Sequence, residues 1–210
     1  SGRVIVKVRY VQGDLATSSR LHLAYVEREG VERDGTPGRL YTREGPDQSQ
    51  DPDVIREEMQ RPIEGEKHQF RMIVAPEDGA ELDLTAYMRS YMARVERDMK
   101  QRLIWAAVNH YDTDQPHAHL IVRGVDRDGA EVRFQRAYIQ RGLRHRAQEL
   151  ATEELGPRTR LDHERQLAKE VHQGRLTSLD RRIGKRAVDG VVCAADLGVY
   201  ERERMRAAGV

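Results

Sequence analysis

Three of the eight histidines in this 210-residue chain fall within one short stretch, His110-Tyr111-Asp112-Thr113-Asp114-Gln115-Pro116-His117-Ala118-His119. Side chains alternate across a strand, so His117 and His119 project from one face, and His110 ends the preceding strand across a short turn. Three imidazoles arranged in this way converge on one cation and leave positions open for water or a substrate oxygen. A catalytic metal site needs that arrangement and a closed structural site lacks it. Asp112 is placed to orient one imidazole from behind. Imidazole donors suit Zn, Ni and other divalent ions, so donor type alone does not choose the metal. His68, His145, His163 and His172 lack such partners and are expected to be surface or hydrogen-bonding histidines.

A hairpin must present this cluster. Leu103–Asn109 reads as its outgoing strand, Tyr111–Pro116 as the turn and His117–Arg123 as the returning strand. Val4, Val6, Val8 and Tyr10 alternate with Arg3, Ile5, Lys7 and Arg9, which predicts another strand with one wetter face. Leu15, Ser18, His22, Tyr25 and Val26 recur at helical spacing between a capping Asp14 and a terminating Gly30, so His22 and Tyr25 share a helical face. Residues Gly30–Pro62 are rich in Gly, Pro and acids and read as a long exposed loop with one short helix after Pro52. Phe70–Val74 is a short apolar strand. Leu84, Tyr87, Met88, Tyr91, Met92, Val95 and Met99 form the stripe of a long amphipathic helix, and that stripe is core packing, not a cofactor box. A turn at Asp126–Gly129 leads into Glu131–Phe134, and Arg-rich helical segments follow over Ala137–Leu155 and Leu161–Val171.

The net charge of +1 is unevenly spread: eight acids face two bases between Glu44 and Glu66, but fourteen Lys/Arg face seven acids between Arg133 and Arg186. The second stretch predicts a phosphate-facing surface, with Arg141, Arg144, Arg146, Arg158 and Arg160 as its contacts. At 38% hydrophobic and 34% charged, the composition excludes a disordered chain. A single cysteine, Cys193, excludes an internal disulfide, and no apolar run approaches the roughly 20 residues of a membrane span, so a reducing, cytoplasmic setting is expected. Ser1-Gly2 resembles the remnant of a removed tag, which predicts a longer natural chain.

The series His110, Asp112, Pro116, His117, His119 resembles the metal motif of plasmid-mobilisation relaxases, P-class nicking enzymes of the HUH endonuclease superfamily. The segment from His22 to Gly30 is similar to the family's nucleophile region, and His68–Asp78 is similar to the strand and turn before its long helix; the likeness spans about Arg3 to Gly156. No counterpart of the family's serine-bearing DNA-contact motif is found in Arg61–Lys67. The resemblance implies an α/β two-layer sandwich with a central, mainly antiparallel, palm-like sheet over residues 1–156, followed by an Arg-rich helical extension over 157–210. It implies nicking and joining of one DNA strand at a transfer origin, initiating conjugation of a plasmid or an integrative conjugative element. Tyr25 would be the nucleophile, forming a 5′-phosphotyrosyl ester, with His22 as the alternative; a phenol with a pKa of ~10 is mostly protonated at neutral pH, so the metal or a base, Asp112 or another carboxylate, must assist its deprotonation. It favours Mg or Mn as the divalent metal. Single-stranded or extruded origin DNA, relaxosome accessory proteins and a coupling protein would be the partners.

Two other readings use the same residues. A rolling-circle replication initiator shares the histidine motif but takes its tyrosine from a later helix, normally with a lysine four residues on. Tyr138 is the candidate there, and Gly142 stands at that position. A non-catalytic mobilisation accessory protein would use the Arg-rich helices and no metal. A His-rich oxygenase or cupin-like protein ranks below both, since it gives no reason for the basic C-terminal half.

Overall fold

The computed structural model describes residues 3–44, 51–156, 160–172, 177–187, 192, 195 and 197–209. The chain divides into two compact units, Ser1–Pro157 and Arg158–Val210. The first is mixed α/β, in the order β1 (Val4–Gln12), α1 (Leu15–Glu29), α2 (Pro52–Gln60), β2 (His68–Pro76), α3 (Leu84–Met99), β3 (Leu103–His110), β4 (His117–Asp126) and α4 (Leu143–Leu155). The four strands form one antiparallel sheet in the order β1-β2-β4-β3.

Strand alternation divides the sheet into two faces. Val4, Phe70, Met72, Val74, Trp105, Leu120 and Val122 point to one side and pack with the α3 stripe and with Leu143, Ala147, Leu150 and Ala151 of α4. The α3 stripe is therefore core, as its spacing predicts. Its buried tyrosines keep their hydroxyls satisfied by donating to α4 carbonyls, Tyr87 to Ala147 at 2.6 Å and Tyr91 to Leu143 at 3.2 Å. On the other side Ile104, Ala106, Val108 and Ile121 meet Leu23 and Val26 of α1 and Ile55 and Met59 of α2. Helices thus cover both faces, and the sandwich has three layers where two were expected. The extra layer follows from β3 and β4, which are buried at alternate positions on both faces.

Asp14 caps α1 by accepting from the Thr17 amide, and Asp83 caps α3 by accepting from the amides of Thr85 and Ala86. Gly30 ends α1 for a packing reason. A Cβ there would lie 2.6 Å from Val108 Cγ1, and one at Gly38 would lie 2.5 Å from the Gly30 Cα, so two backbones cross where side chains have no room.

The segment after Gly30 is not the free loop that its composition suggests. Leu40, Tyr41 and Thr42 are buried, Tyr41 exchanges two backbone hydrogen bonds with Ala107 at 2.9 and 3.0 Å, and Val31 bridges to His110. Its few apolar residues dock on β3 and cover what would otherwise be an open sheet edge. The short helix after Pro52 forms as expected, capped by Asp51. A π-helical turn, Tyr138–Gly142, leads into α4; a Cβ at Gly142 would lie 2.3 Å from the Tyr138 ring.

In the second unit, α5 (Arg160–Val171), α6 (Ser178–Arg186) and α7 (Val199–Ala207) enclose Leu167, Val171 and Leu179. Asp180 binds the Arg204 guanidinium through both oxygens at 2.9 and 3.0 Å, and this pairing together with hydrogen bonds from Thr177 holds its carboxyl down at about 2. Among the described residues no helix is long and apolar enough to cross a membrane.

Candidate metal centre

Backbone register assembles the histidine cluster. His110, the last residue of β3, is the direct partner of His117, the first of β4, and His119 is opposite Val108. All three side chains therefore leave the α1/α2 face of the sheet. Their ring centroids are 4.4 Å (His110–His119), 5.1 Å (His110–His117) and 5.0 Å (His117–His119) apart, and one ligand atom from each lies within 4.8 Å of the others. Tyr111 anchors the turn to the start of α3: its hydroxyl donates to Leu82 O at 2.8 Å and accepts from Leu84 N at 2.9 Å.

Two backbone carbonyls orient the rings. His110 Nε2 lies 3.0 Å from Val26 O of α1, and His117 Nδ1 lies 3.0 Å from Gln115 O. A carbonyl oxygen only accepts, so these nitrogens carry the protons, leaving lone pairs on His110 Nδ1 and His117 Nε2. His117 Nε2 and His119 Nε2 face each other at 3.2 Å. Two nitrogens bound at the usual metal–nitrogen distance of about 2.1 Å would stand roughly 3.0–3.4 Å apart for octahedral to tetrahedral angles, so this pair is already spaced to share an ion. Burial, and then the neighbouring histidines, push His119 down to about 3; burial also lowers His110. Both are neutral at pH 7, the form in which imidazole binds metal. The residues fit a divalent cation.

Asp112 sits in the exposed turn. The hydrogen bonds that orient His110 and His117 come from Val26 and Gln115 instead, and Asp112 acts on His110 only through its charge, favouring protonation.

Helix α1 crosses this face diagonally. Ser18 and Ser19 meet β2 through Arg71 and Gln69, the His22 ring lies 6.5 Å from that of His119, and Val26 reaches His110. Burial lowers His22 to about 4, helped by the charges of Arg71 and Arg9. Tyr25 lies one turn beyond His22 and adjoins Val26, but the residue is 51% exposed, with the Arg28 guanidinium 5.8 Å from its ring centroid. The structure thus brings His22 against the cluster and leaves Tyr25 on the solvent side of the same helix.

The part of the Arg-rich segment that belongs to the first unit is elsewhere in that unit. Arg146 binds Asp98 through two nitrogens at 2.8 and 2.9 Å and Glu149 at 2.9 Å, and Arg144 donates to Gln140 O. Arg141 is exposed on the π-helical turn. These elements pack on the face opposite the histidines, where Tyr138 also lies, its hydroxyl donating to Asp98 at 2.7 Å. Arg158 is outside the described residues, and Arg160 opens α5, its side chain undescribed. His68 is a buried hydrogen-bonding histidine, Nε2 lying 2.8 Å from Val132 O.

Two orienting carbonyls and the cations Arg9 and Arg71 escape sequence reasoning. The carbonyls leave no trace in residue type. The arginines leave a faint one, as charges at alternate positions of otherwise apolar strands.

Replacing His117 with Ala should weaken Mn binding by at least about 100-fold in titration calorimetry, more than the 10–100-fold typical of losing a group that merely orients a ligand. Wild-type affinity in that variant would remove the cluster from consideration as a metal site.

No family model matches the chain, and no curated protein matches it.

Proposed function

We propose that this chain is a metal-dependent DNA strand transferase of the relaxase type, which nicks one strand at a transfer origin and rejoins it. The observation that carries this reading is the convergence of His110, His117 and His119, with lone pairs free to meet one ion, beneath a helix that carries both His22 and Tyr25. A divalent ion held there, Mg or Mn by the family likeness, would offset charge growing on the non-bridging phosphate oxygens.

Tyr25 Oη forms a bond to phosphorus, the P–O3′ bond breaks, and the phenolic proton passes through solvent to the departing 3′ oxygen. One phosphodiester is exchanged for another, so the step is reversible, as rejoining requires. The exposure of Tyr25 suits a nucleophile that must meet a polymer arriving from solvent. The nearness of His22 to His119 favours a second reading, in which His22 is the attacking group.

The test is incubation of the full chain with Mn and a single-stranded oligonucleotide from the neighbouring transfer origin. The expected product is a protein–DNA adduct together with a fragment ending in a 3′ hydroxyl. Cleavage by water, with a free 5′ phosphate and no adduct, would contradict strand transfer.

A further inference from the structure

Sheet register sets out the histidine face in rows: Lys7, Ile73, His119 and Val108 are successive direct partners across β1, β2, β4 and β3, and the next row is Arg9, Arg71, Ile121 and Ala106. Arg9 and Arg71 therefore stand side by side on that face. Arg71 is the diagonal neighbour of His119, a relation that places Cα atoms about 7–8 Å apart.

Like charges directly opposite in a sheet repel, and neither arginine is relieved. Among the described residues no carboxylate pairs with Lys7, Arg9 or Arg71. Arg71 is half-buried, donates through Nη2 to Ser18 O at 2.9 Å and to Ser18 Oγ at 2.6 Å, and keeps a buried Nε with no partner. Burial and the Arg9 charge both disfavour its charged form. The side chains of Lys7 and Arg9 are exposed, because α1 covers β2, β4 and β3 on this face but not edge strand β1. In contrast, Arg146 on the far face is neutralised by Asp98 and Glu149.

We propose that Arg9 and Arg71 form a phosphodiester-binding subsite, on which a phosphate next to the scissile one is seated as the strand crosses the open face of β1, at the margin of α1, towards the histidines. This rests on the nuclease reading. Such a phosphate would relieve the repulsion between the guanidiniums and give the buried Nε an acceptor, and planar guanidinium forks match phosphate oxygens.

The experiment measures binding of a fluorescein-labelled single-stranded oligonucleotide of mixed sequence to the full chain across a salt series, for wild type, Arg9→Gln, Arg71→Gln, Arg71→Lys and Arg144→Gln. Each lost phosphate contact on a single strand should lower the slope of log affinity against log salt by about 0.7, and each Gln variant on the histidine face should weaken binding about tenfold. Arg71→Lys should restore the slope, and Arg144→Gln should leave it unchanged. Arg9 is exposed and makes no described hydrogen bond, so its variant carries the test even if Arg71→Gln disturbs α1. An unchanged slope in Arg9→Gln, or a loss confined to Arg144→Gln, overturns the subsite and leaves strand transfer standing if wild type still forms its adduct. Absence of single-strand binding by wild type would overturn both.

Discussion

Tyr25→Phe should abolish the covalent protein–DNA adduct and lower strand cleavage by at least about 10³-fold, because removing one oxygen deletes the attacking atom of a covalent mechanism. The same change should leave stability within about 0.5 kcal/mol of wild type, since Tyr25 is half exposed and its described contact is the Arg28 guanidinium over the ring face. Mn affinity should also hold, because His110 is tied to α1 through the Val26 carbonyl and not through the tyrosine. Loss of cleavage with metal binding and folding intact is the signature of a nucleophile. Acid stability separates the alternatives, since a phosphotyrosyl ester survives acid and a phosphohistidine does not. The direct measurement is mass spectrometry of the adduct peptide after protease digestion. Recovery on the peptide of His22 or of Tyr138, with Tyr25→Phe still forming adduct, would sink the assignment. A Tyr138 adduct would also have to form on the opposite face of the sheet from the histidines, at a hydroxyl whose ionisation burial and Asp98 both oppose.

The second large effect is on folding. Arg123 and Glu66 form a fully buried bidentate pair. Arg123 Nε donates to Glu66 Oε1 at 3.0 Å and Nη2 to Oε2; Nη1 donates to the carbonyls of Glu58 and Arg61, both at 2.7 Å, and Glu66 Oε1 also accepts from Gly124 N at 3.0 Å. With the side chains only 2% and 3% exposed, water cannot replace either partner. Glu66→Ala leaves an uncompensated buried guanidinium and should cost about 3–5 kcal/mol. Replacing both residues with apolar ones of similar volume should recover much of that loss, because the pair's Coulombic gain largely offsets the cost of removing two charges from water. Urea unfolding followed by Trp105 fluorescence reads this unit alone, Trp105 being the chain's one tryptophan and buried in its core. A loss below about 1 kcal/mol in Glu66→Ala, the size of an exposed pair, would show that solvent reaches Arg123. The pair also has a bearing on the metal centre: it fastens the stretch from Glu58 to Glu66 to the same strand, β4, that carries His117 and His119.

Residue types and spacing within a few positions of each other were enough to determine the β3–β4 hairpin, the common face of His117 and His119, the cap at Asp14, and the Met/Tyr stripe of α3. Each is a local rule: alternation in a strand, 3.6-residue periodicity in a helix, or a side chain accepting from an amide a few positions on. Tertiary structure alone decided which strands are neighbours and what covers them. It docked Leu40 and Tyr41 against β3, although the Gly- and acid-rich sequence around them reads as loop. It put helices on both faces, so that α4 and its arginines lie behind the sheet, with Arg146 neutralised by an aspartate 48 positions earlier. It also set Arg9 beside Arg71 and Val26 against His110, partners separated by 62 and 84 positions. The physical reason is that a charge or a hydrogen-bonding group is defined by its partner. Periodicity fixes the face from which a side chain leaves, whereas packing of distant segments decides whether it meets a carboxylate, a carbonyl, another cation or solvent.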